Sequence, residues 1–266
     1  MASAPAASSL DILAIAAHRD DVEQTCGGTL LRASQKGQRT GILDLTRGEM
    51  GTRGTAEDRA REASDAARIL GVSWRRALDL PDGRVENTWE NRLKVASVIR
   101  ETRPRVIILP YWKGRHPDHY TASILGYEAC FLAGLRKLAL RPFDPDSGHK
   151  SAQINSAETN PGESLAPHRP FKIIYATLYY DIRPTFVVDI SGQFEGKFAS
   201  ILAYQSQFND QEAGKDLFPA HDEIRARVDA MARFYGMLAG VTHAEPFLQK
   251  EVGLVDDLLA IPVKSI

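Results

Sequence analysis

The sequence predicts an α/β fold: a Rossmann-like, mostly parallel sheet flanked by helices, with a smaller strand-and-helix extension toward the carboxyl end. Short apolar runs alternate with helical segments over the first 140 residues, and this alternation is typical of parallel sheets. Glycine and proline separate the segments. Polar clusters directly follow two of the apolar runs, which is where open α/β sheets place their sites.

The first half of the chain supplies the regular elements. Residues 10–16 (Leu-Asp-Ile-Leu-Ala-Ile-Ala) form an apolar run typical of a buried strand. Gly27 and Gly28 predict the start of a helix that ends at Gly37. Thr55, with Asp58 three residues later, predicts a capped helix start. The other predicted elements are strands at 40–45, 75–80 and 106–109, and helices at 55–70, from 87 or 88 to just before Pro104, and 117–138.

The composition changes after Lys137. Residues 141–171 carry five prolines and many Ser, Asn and Asp residues, which predicts a long loop or insertion. Strands then follow at 172–180 and 184–190, and helices at 194–208 and 220–238. We expect one domain over residues 1–266, made of a Rossmann-like core at 10–140, the long loop, and completing elements at 172–250.

Composition restricts the class of function. With 266 residues, 43% hydrophobic and 25% charged, the chain is typical of soluble globular proteins. The formal net charge of −1 gives no sign of a nucleic-acid or membrane partner. No apolar segment approaches the length of a membrane span, and residues 1–9 lack the features of a signal peptide. Cys26 and Cys130 are too few for a disulfide framework, so we expect a cytoplasmic location.

Two polar clusters end predicted strands: residues 17–23 (Ala-His-Arg-Asp-Asp-Val-Glu) and residues 115–119 (Arg-His-Pro-Asp-His). Because the carboxyl ends of parallel strands meet at one edge of a sheet, we expect one metal site assembled from both loops. His18, Asp21 and His119 are the candidate ligands. Two imidazoles and one carboxylate suit Zn²⁺ in its open, catalytic form, and another divalent ion such as Fe²⁺ is the alternative.

Other polar residues near the clusters are candidates for catalysis and substrate binding. Asp20 lies beside the first-loop ligands, where a general base for an attacking water belongs. His116 and Asp118 suit a pair in which the carboxylate raises the pKa of the imidazole, so that His116 stabilises an oxyanion or protonates a leaving amine. Three arginines are candidates for holding a substrate hydroxyl or carboxylate: Arg59, Arg47 and Arg53.

Each cluster also has a plain structural interpretation. His-x-Asp-Asp can be a turn or a helix cap, and Pro117 with Asp118 can simply start a helix. Arg59 on an exposed helix is more often a solvated charge, and Cys26 is more often a small buried thiol than a ligand. The coincidence of both clusters favours the metal site. A non-catalytic sugar or nucleotide binder and a structural zinc site with Cys26 as fourth ligand stay open as rivals.

These motifs, taken in order, resemble those of the LmbE-like, or PIG-L type, zinc-dependent N-acetylglucosamine deacetylases. The resemblance extends from about residue 10 to about residue 250 and is carried by residues 17–23, 45–54, 80–83, 116–119, 203–208 and 244–247. Within the family the chain most resembles the bacillithiol-biosynthesis branch, which removes acetyl from N-acetylglucosaminyl malate.

The resemblance implies the roles given above for the zinc ligands, the base and the charge-paired acid. It adds that Arg59 contacts the substrate and that Tyr204 is a mobile tyrosine at the oxyanion, although the sequence around Tyr204 is more typical of a core aromatic. It also implies a homotrimer or homohexamer. Two features depart from the family: Arg19 stands where proline is commonest, and the 141–171 segment is longer than in compact bacterial members, which leaves the substrate open.

We therefore predict a cytoplasmic, zinc-dependent hydrolase that removes acetyl from a small molecule containing N-acetylglucosamine, with N-acetylglucosaminyl malate as the first substrate. The alternative is the same reaction on a mycothiol precursor, a chitin oligosaccharide or an antibiotic intermediate. The sequence leaves open whether Asp20 or His116 protonates the leaving amine.

Overall fold

The computed structural model describes residues 9–143, 164–178, 180–208 and 221–263. In chain order these residues form β1 (Ile12–Ala16), α1 (Asp21–Gln35), β2 (Thr40–Asp44), α2 (Ala56–Ile69), β3 (Trp74–Ala77), α3 (Trp89–Thr102), β4 (Val106–Pro110), α4 (Pro117–Ala133), β5 (Lys172–Ala176), β6 (Phe186–Asp189), α5 (Phe194–Leu202), α6 (Gln205–Phe208), α7 (His221–Ala239), β7 (Ala244–Leu248) and a 3₁₀ turn (Leu258–Ala260).

The strands form a seven-stranded sheet in the order β3-β2-β1-β4-β5-β7-β6. Strands β1 to β5 pair in parallel, whereas β7 is antiparallel to both β5 and β6. This confirms the predicted fold class, a mostly parallel sheet flanked by helices. The strand order reverses between β1 and β4, so a crevice lies beyond their carboxyl ends.

Both faces of the central strands are buried. Leu13 and Ile107 belong to a cluster with apolar residues of α3 and α4, and Ala14 and Ile108 belong to a second cluster with residues of α1. A strand covered on both faces reads as a near-continuous apolar run, which is why β1 and β4 were visible in the sequence.

Helix α1 begins earlier than predicted. It starts at Asp21 rather than at Gly27, so the first polar cluster runs directly into the helix. The helix is interrupted at Cys26, whose φ of −139° is not helical. The glycine pair at 27 and 28 therefore lies just after a break inside α1, not at its start.

Helix α4 ends earlier than predicted, at Ala133 rather than at residue 138. The Arg100 guanidinium of α3 donates to the carbonyl oxygens of Ala133, Leu135 and Leu138 at 2.6–2.8 Å. These bonds hold the chain where it leaves the helix, and they add to those from the N–H groups of His168 and Leu138, which donate to the carbonyls of Ala133 and Leu135. Arg100 is distant in sequence from this end, so the sequence around residue 133 does not reveal the stop.

The carboxyl-terminal elements differ from the prediction in three ways. The predicted strands shorten to β5 and β6, and the predicted helix 194–208 divides into α5 and α6. Strand β7 was not predicted, because it contains Glu245 and Pro246, which argue against a central strand. It nevertheless lies between β5 and β6, with Pro246 opposite Val187.

The predicted long loop is irregular at its described ends, 141–143 and 164–171, and residues 144–163 lie outside the described residues. Among the helices that are described, none combines the length and the hydropathy needed to cross a bilayer.

Candidate active site

The segments after β1 and β4 bring the side chains of the three predicted ligands together at the crevice. His18 Nδ1 lies 3.2 Å from His119 Nε2. Asp21 approaches both rings, with Oδ1 3.2 Å from His119 Nε2 and Oδ2 3.5 Å from His18 Nδ1. The three donor groups therefore outline a triangle in which each Asp21 oxygen faces one imidazole, although they come from positions about a hundred residues apart.

This triangle fits a zinc-sized cation. Tetrahedral ligands at zinc distances of about 2.0–2.1 Å are separated by roughly 3.3 Å, which is close to the observed spacing. Two imidazoles with one carboxylate are also the chemistry that an open zinc site uses. One ring nitrogen of His116 lies close enough to join His18 and His119 in a group that could hold a metal ion. However, His116 Nδ1 accepts a hydrogen bond from Asp118 N–H at 3.2 Å, so this nitrogen already has a partner.

Two carboxylates lie behind His18, on the side away from Asp21. Its Nε2 is 3.1 Å from Asp82 Oδ1 and 3.3 Å from Asp118 Oδ2. Asp118 is fixed by the backbone N–H groups of Gly83 and Val85 at 2.8 and 3.1 Å. A carboxylate behind a ligating imidazole orients the ring and increases its basicity. Asp82 was not singled out as a site residue, although it lies in residues 80–83, one of the segments that carry the family resemblance.

The site stabilises positive charge. Burial lowers the pKa of His18, but Asp21, Asp118 and Asp82 outweigh it and raise the pKa to about 12. Burial also lowers the pKa of His119, but Asp21 outweighs this effect, so the pKa is raised above its ordinary value. Burial raises the pKa of Asp21, but His119 and His18 hold it well below its ordinary value. A divalent cation would meet the same excess of negative charge, and its binding would displace a proton from His18.

His116 does not form the predicted charge pair with Asp118. The Asp118 carboxylate is directed to His18 and to two backbone N–H groups, while His116 accepts from the Asp118 backbone. The pKa of His116 is lowered by desolvation and by the charges of His18 and His119, which outweigh Asp118. Because Nδ1 accepts a hydrogen bond, a neutral His116 carries its proton on Nε2.

Asp20 stands beside the triangle with its carboxylate held from two sides. Arg59 Nη2 donates to Oδ1 at 2.9 Å, and Gln24 Nε2 donates to Oδ2 at 3.3 Å. Arg59 itself is buried, at 5% exposure, and Gly48, with a φ of 71°, lies against its guanidinium. A side chain at position 48 would come within 3.1 Å of Arg59 Nε, so the glycine gives the guanidinium its room.

The site opens into a pocket of about 710 Å³, within the range of small-molecule sites. Its polar wall contains the predicted ligands and base together with His116, Arg59, Asp82, Gln24 and Arg115. The loop after β2 supplies another part of the wall through Gly48, Met50, Gly51 and Thr52.

Three predicted site residues, unlike Asp118 behind His18, lie away from both the donor triangle and this pocket wall. Arg47 is exposed. Arg53 is buried, and its guanidinium donates to the Gln207 carbonyl at 2.8 Å. Tyr204 is fully buried; its hydroxyl donates to the Arg19 carbonyl and accepts from Arg75 Nη2 at 3.0 Å. In this structure the Tyr204 hydroxyl is bonded inside the core and away from the pocket wall, so the role of a mobile tyrosine at the oxyanion stays a prediction from the resemblance.

Cys26 is also outside the donor triangle. It is buried at 1% exposure, and burial raises the pKa of its thiol to about 12. A thiol held protonated in this way is a poor metal ligand, in agreement with the expectation of a small buried residue.

The fold and the site together define an α/β protein whose sheet carries, at its switch point, a cluster of His and Asp side chains that could hold a metal ion. A family model described as "PIG-L: GlcNAc-PI de-N-acetylase" matches residues 13–130. The diacetylchitobiose deacetylase of Thermococcus kodakarensis is 30% identical over 245 residues, which cover 88% of this chain and 80% of that protein. The chain belongs to the PIG-L family of de-N-acetylases.

Two further similarities agree with this family. The 1D-myo-inositol 2-acetamido-2-deoxy-alpha-D-glucopyranoside deacetylase of Kineococcus radiotolerans is 26% identical. The alignment covers 74% of this chain and 68% of that protein. Among solved structures, the conserved protein TT1542 of Thermus thermophilus superposes with a TM-score of 0.75 at 40% identity, covering 93% of this chain and 98% of that one.

Proposed function

We propose that this protein is a metal-dependent deacetylase that hydrolyses the acetamide of a small N-acetylated amino sugar. The observation that carries the proposal is the triangle of His18, Asp21 and His119 donors, with the Asp20 carboxylate beside it in an open pocket. Two relatives whose names describe deacetylases of N-acetylated sugars support the substrate class.

His18, Asp21 and His119 would hold the ion, and Zn²⁺ suits their donor set better than a hard cation that prefers oxygen ligands. When bound, such an ion acts as a Lewis acid on the amide carbonyl and acidifies the attacking water. Asp82 and Asp118 orient His18 for this role through its other ring nitrogen.

Asp20 is the general base in this proposal. The bonds from Arg59 and Gln24 orient its carboxylate at the edge of the pocket, where it takes a proton from the attacking water. The same carboxyl group then returns the proton to the departing nitrogen. His116 is assigned to the oxyanion, because its neutral form donates from Nε2 and its pKa is lowered. The proposal therefore assigns protonation of the leaving amine to Asp20 rather than to His116.

The specific substrate that we propose is N-acetylglucosaminyl malate. Arg59 and Arg115 are the arginines of the pocket wall that could meet malate carboxylates, and Arg59 already binds Asp20. This leaves Arg115 as the main candidate for an anionic aglycone. A chitin disaccharide and an inositol glucosaminide are the second candidates, and the two named relatives favour them.

The deciding experiment is acetate release by zinc-loaded protein from N-acetylglucosaminyl malate, N,N′-diacetylchitobiose, a mycothiol precursor and free N-acetylglucosamine. Preference for the malate compound that falls in Arg115→Ala but not in Arg47→Ala supports the finer proposal. Preference for a neutral sugar keeps the deacetylase and removes the malate. Zinc binding with no release from any of the four compounds would favour a non-catalytic sugar binder.

The proposal includes a homo-oligomer and a cytoplasmic location. The segment after β7 supports the former, since Val252, Leu254 and Leu259 are more than 90% exposed, and apolar surface of this kind is typical of interaction sites. The two free, buried cysteines are compatible with a reducing compartment. Light scattering of the wild type and of Leu254→Glu/Leu259→Glu tests the assembly; a wild-type monomer would exclude it.

A further inference from the structure

A buried ion pair lies behind helix α1, close to the predicted site. Lys197 Nζ of α5 is 2.5 Å from Glu245 Oε1 of β7, and the two side chains are only 4% and 3% exposed. Removing two charges from water is costly, and the cost is offset only when further hydrogen bonds complete the pair. The additional partners of Lys197 and Glu245 therefore indicate what the pair does.

Two of those partners are backbone groups that a regular helix would join to each other by a hydrogen bond. In an α-helix the N–H of residue 28 donates to the carbonyl of residue 24. Here Gly28 N–H donates to Glu245 Oε1 at 2.9 Å, and the Gln24 carbonyl accepts from Lys197 Nζ at 2.8 Å. The N–H and hydroxyl of Thr29 also donate to Glu245 Oε2, at 2.7 and 2.6 Å. The ion pair is thus inserted into the hydrogen-bond ladder of α1.

The insertion coincides with the break in α1. Cys26, between the two bonded groups, has non-helical backbone angles. The part of α1 after it therefore begins like a new helix, whose first N–H groups need partners outside the helix. The Glu245 carboxylate lies at this second start, where a negative charge is favourable. A side chain at Gly28 would come within 2.9 Å of Ile190 and 3.1 Å of Glu245 Oε1. A glycine is required there for the carboxylate to reach the backbone.

The turn before the break carries the groups that the proposed function uses. Asp21 opens α1 as a predicted ligand, and Gln24 donates from its side chain to the Asp20 carboxylate. The Gln24 carbonyl that Lys197 binds belongs to this same turn. A change in the angle of the break would therefore move Asp21 and Gln24 together relative to His119.

We propose that the Lys197–Glu245 ion pair is a positioning device: it fixes the break in α1 and thereby holds Asp21 and the Gln24–Asp20 contact in place. This inference rests on the proposed function, because it treats Asp21 as a metal ligand. Lys197 and Glu245 themselves touch neither the pocket's donor triangle nor the Asp20 carboxylate; they act through the backbone of α1.

The test compares Lys197→Met, Glu245→Gln and the double variant Lys197→Met/Glu245→Gln. Each single change leaves an uncompensated buried charge, so each lowers thermal stability. The double variant removes both charges and regains much of that stability. Glu101→Gln is the control, because it breaks the ion pair between α3 and Arg76 of β3, on the face of the sheet that α3 and α4 cover rather than α1.

Two measurements on folded protein decide the role: Zn²⁺ affinity by competition with a chromophoric chelator, and hydrogen exchange of peptides covering residues 21–29 without metal. We expect the double variant to bind Zn²⁺ about 10–100-fold more weakly than the wild type, as for other groups that orient ligands. Its exchange in residues 21–29 should be faster. The control should change neither readout by more than about twofold.

Recovery of Zn²⁺ affinity together with thermal stability in the double variant would assign the pair to stability alone and overturn this inference while leaving the proposed function intact. A wild-type chain that binds no Zn²⁺ would overturn both. If the double variant does not fold, Glu245→Asp, which keeps the charge but shortens its reach, replaces it in the same two measurements. A loss of Zn²⁺ affinity in that variant is then the supporting result, and unchanged affinity the contrary one.

Discussion

Two clusters of charged side chains, both built in part from residues 18–23, differ in how their carboxylates are neutralised. The open cluster faces the pocket and contains His18, Asp21, Asp82, Asp118 and His119. The closed cluster lies in the interior and contains Glu23, Asp44, Arg75 and Tyr204.

The closed cluster contains its own permanent cation. Arg75 donates to Glu23 at 2.6 Å and makes a two-point contact with Asp44 at 2.9 and 3.0 Å. The open cluster sets three carboxylates around His18, and its positive charge comes only from imidazoles that can lose a proton. A cluster with a guanidinium keeps its cation at every working pH and is structural, whereas one that relies on imidazoles can exchange protons for a metal ion.

Removing a ligand from the open cluster should have the largest effect. Asp21→Ala deletes the carboxylate that approaches both imidazoles, so we expect loss of stoichiometric Zn²⁺ and of deacetylase activity to background. Metal analysis of the purified variant, with acetate release, measures both. The fold should remain, since Asp21 is balanced by imidazoles and not by a buried guanidinium. Wild-type metal content in this variant would contradict the ligand assignment.

Asp20→Asn should separate catalysis from metal binding. The donor triangle is unchanged, so Zn²⁺ should still bind, while kcat falls by roughly 10²–10⁴ because the general base is lost. Single-turnover acetate release with parallel metal analysis provides the measurement. Full activity in zinc-loaded Asp20→Asn would remove Asp20 from the proposed role.

In the closed cluster, Arg75→Met should reduce stability and leave metal binding nearly unchanged. The variant leaves buried Glu23 and Asp44 without their cation, and breaking such a pair costs about 3–5 kcal/mol. Urea unfolding gives the loss in free energy, and chelator competition gives the Zn²⁺ affinity of the folded fraction. A stability loss below about 1 kcal/mol would show that the two clusters are not different in kind.

The affinity of the open cluster for Zn²⁺ should increase with pH. The metal-free pKa of His18 is raised to about 12, so this ring carries a proton near neutral pH that metal binding must release, and the pKa of His119 is raised in the same direction. Release of one or two protons increases the affinity by about 10–100-fold per pH unit. Competition at pH 6, 7 and 8, corrected for protonation of the chelator, tests this. A constant affinity would mean that the rings are already neutral.

The smallest effect is expected for Tyr204→Phe. The Tyr204 hydroxyl is bonded to Arg19 and Arg75 in the closed cluster, so its loss should cost about 1 kcal/mol of stability. The kcat of the folded enzyme should change by less than about threefold. A loss of kcat near that of Asp20→Asn would instead support the oxyanion role that the resemblance implied.

The sequence was most informative where one short segment carries the whole signal. The apolar runs of β1 and β4 are buried on both faces and were predicted nearly at their observed bounds. The capping box at Thr55 and Asp58 was also predicted, and both reciprocal bonds are present. Asp82 and the end of α4 were missed, because their partners, His18 and Arg100, lie far away along the chain.

By itself, the sequence determined which side chains follow β1 and β4, and the parallel arrangement then placed His18, Asp21 and His119 at one edge. Only the tertiary structure decided the direction of the neighbouring residues. Glu23 turns inward because Arg75 of β3 is there to neutralise it, and Tyr204 is buried because the same guanidinium binds its hydroxyl. The physical reason is that local elements follow from the periodicity of the sequence. Whether a charged or polar side chain can be buried depends instead on a partner that only folding supplies.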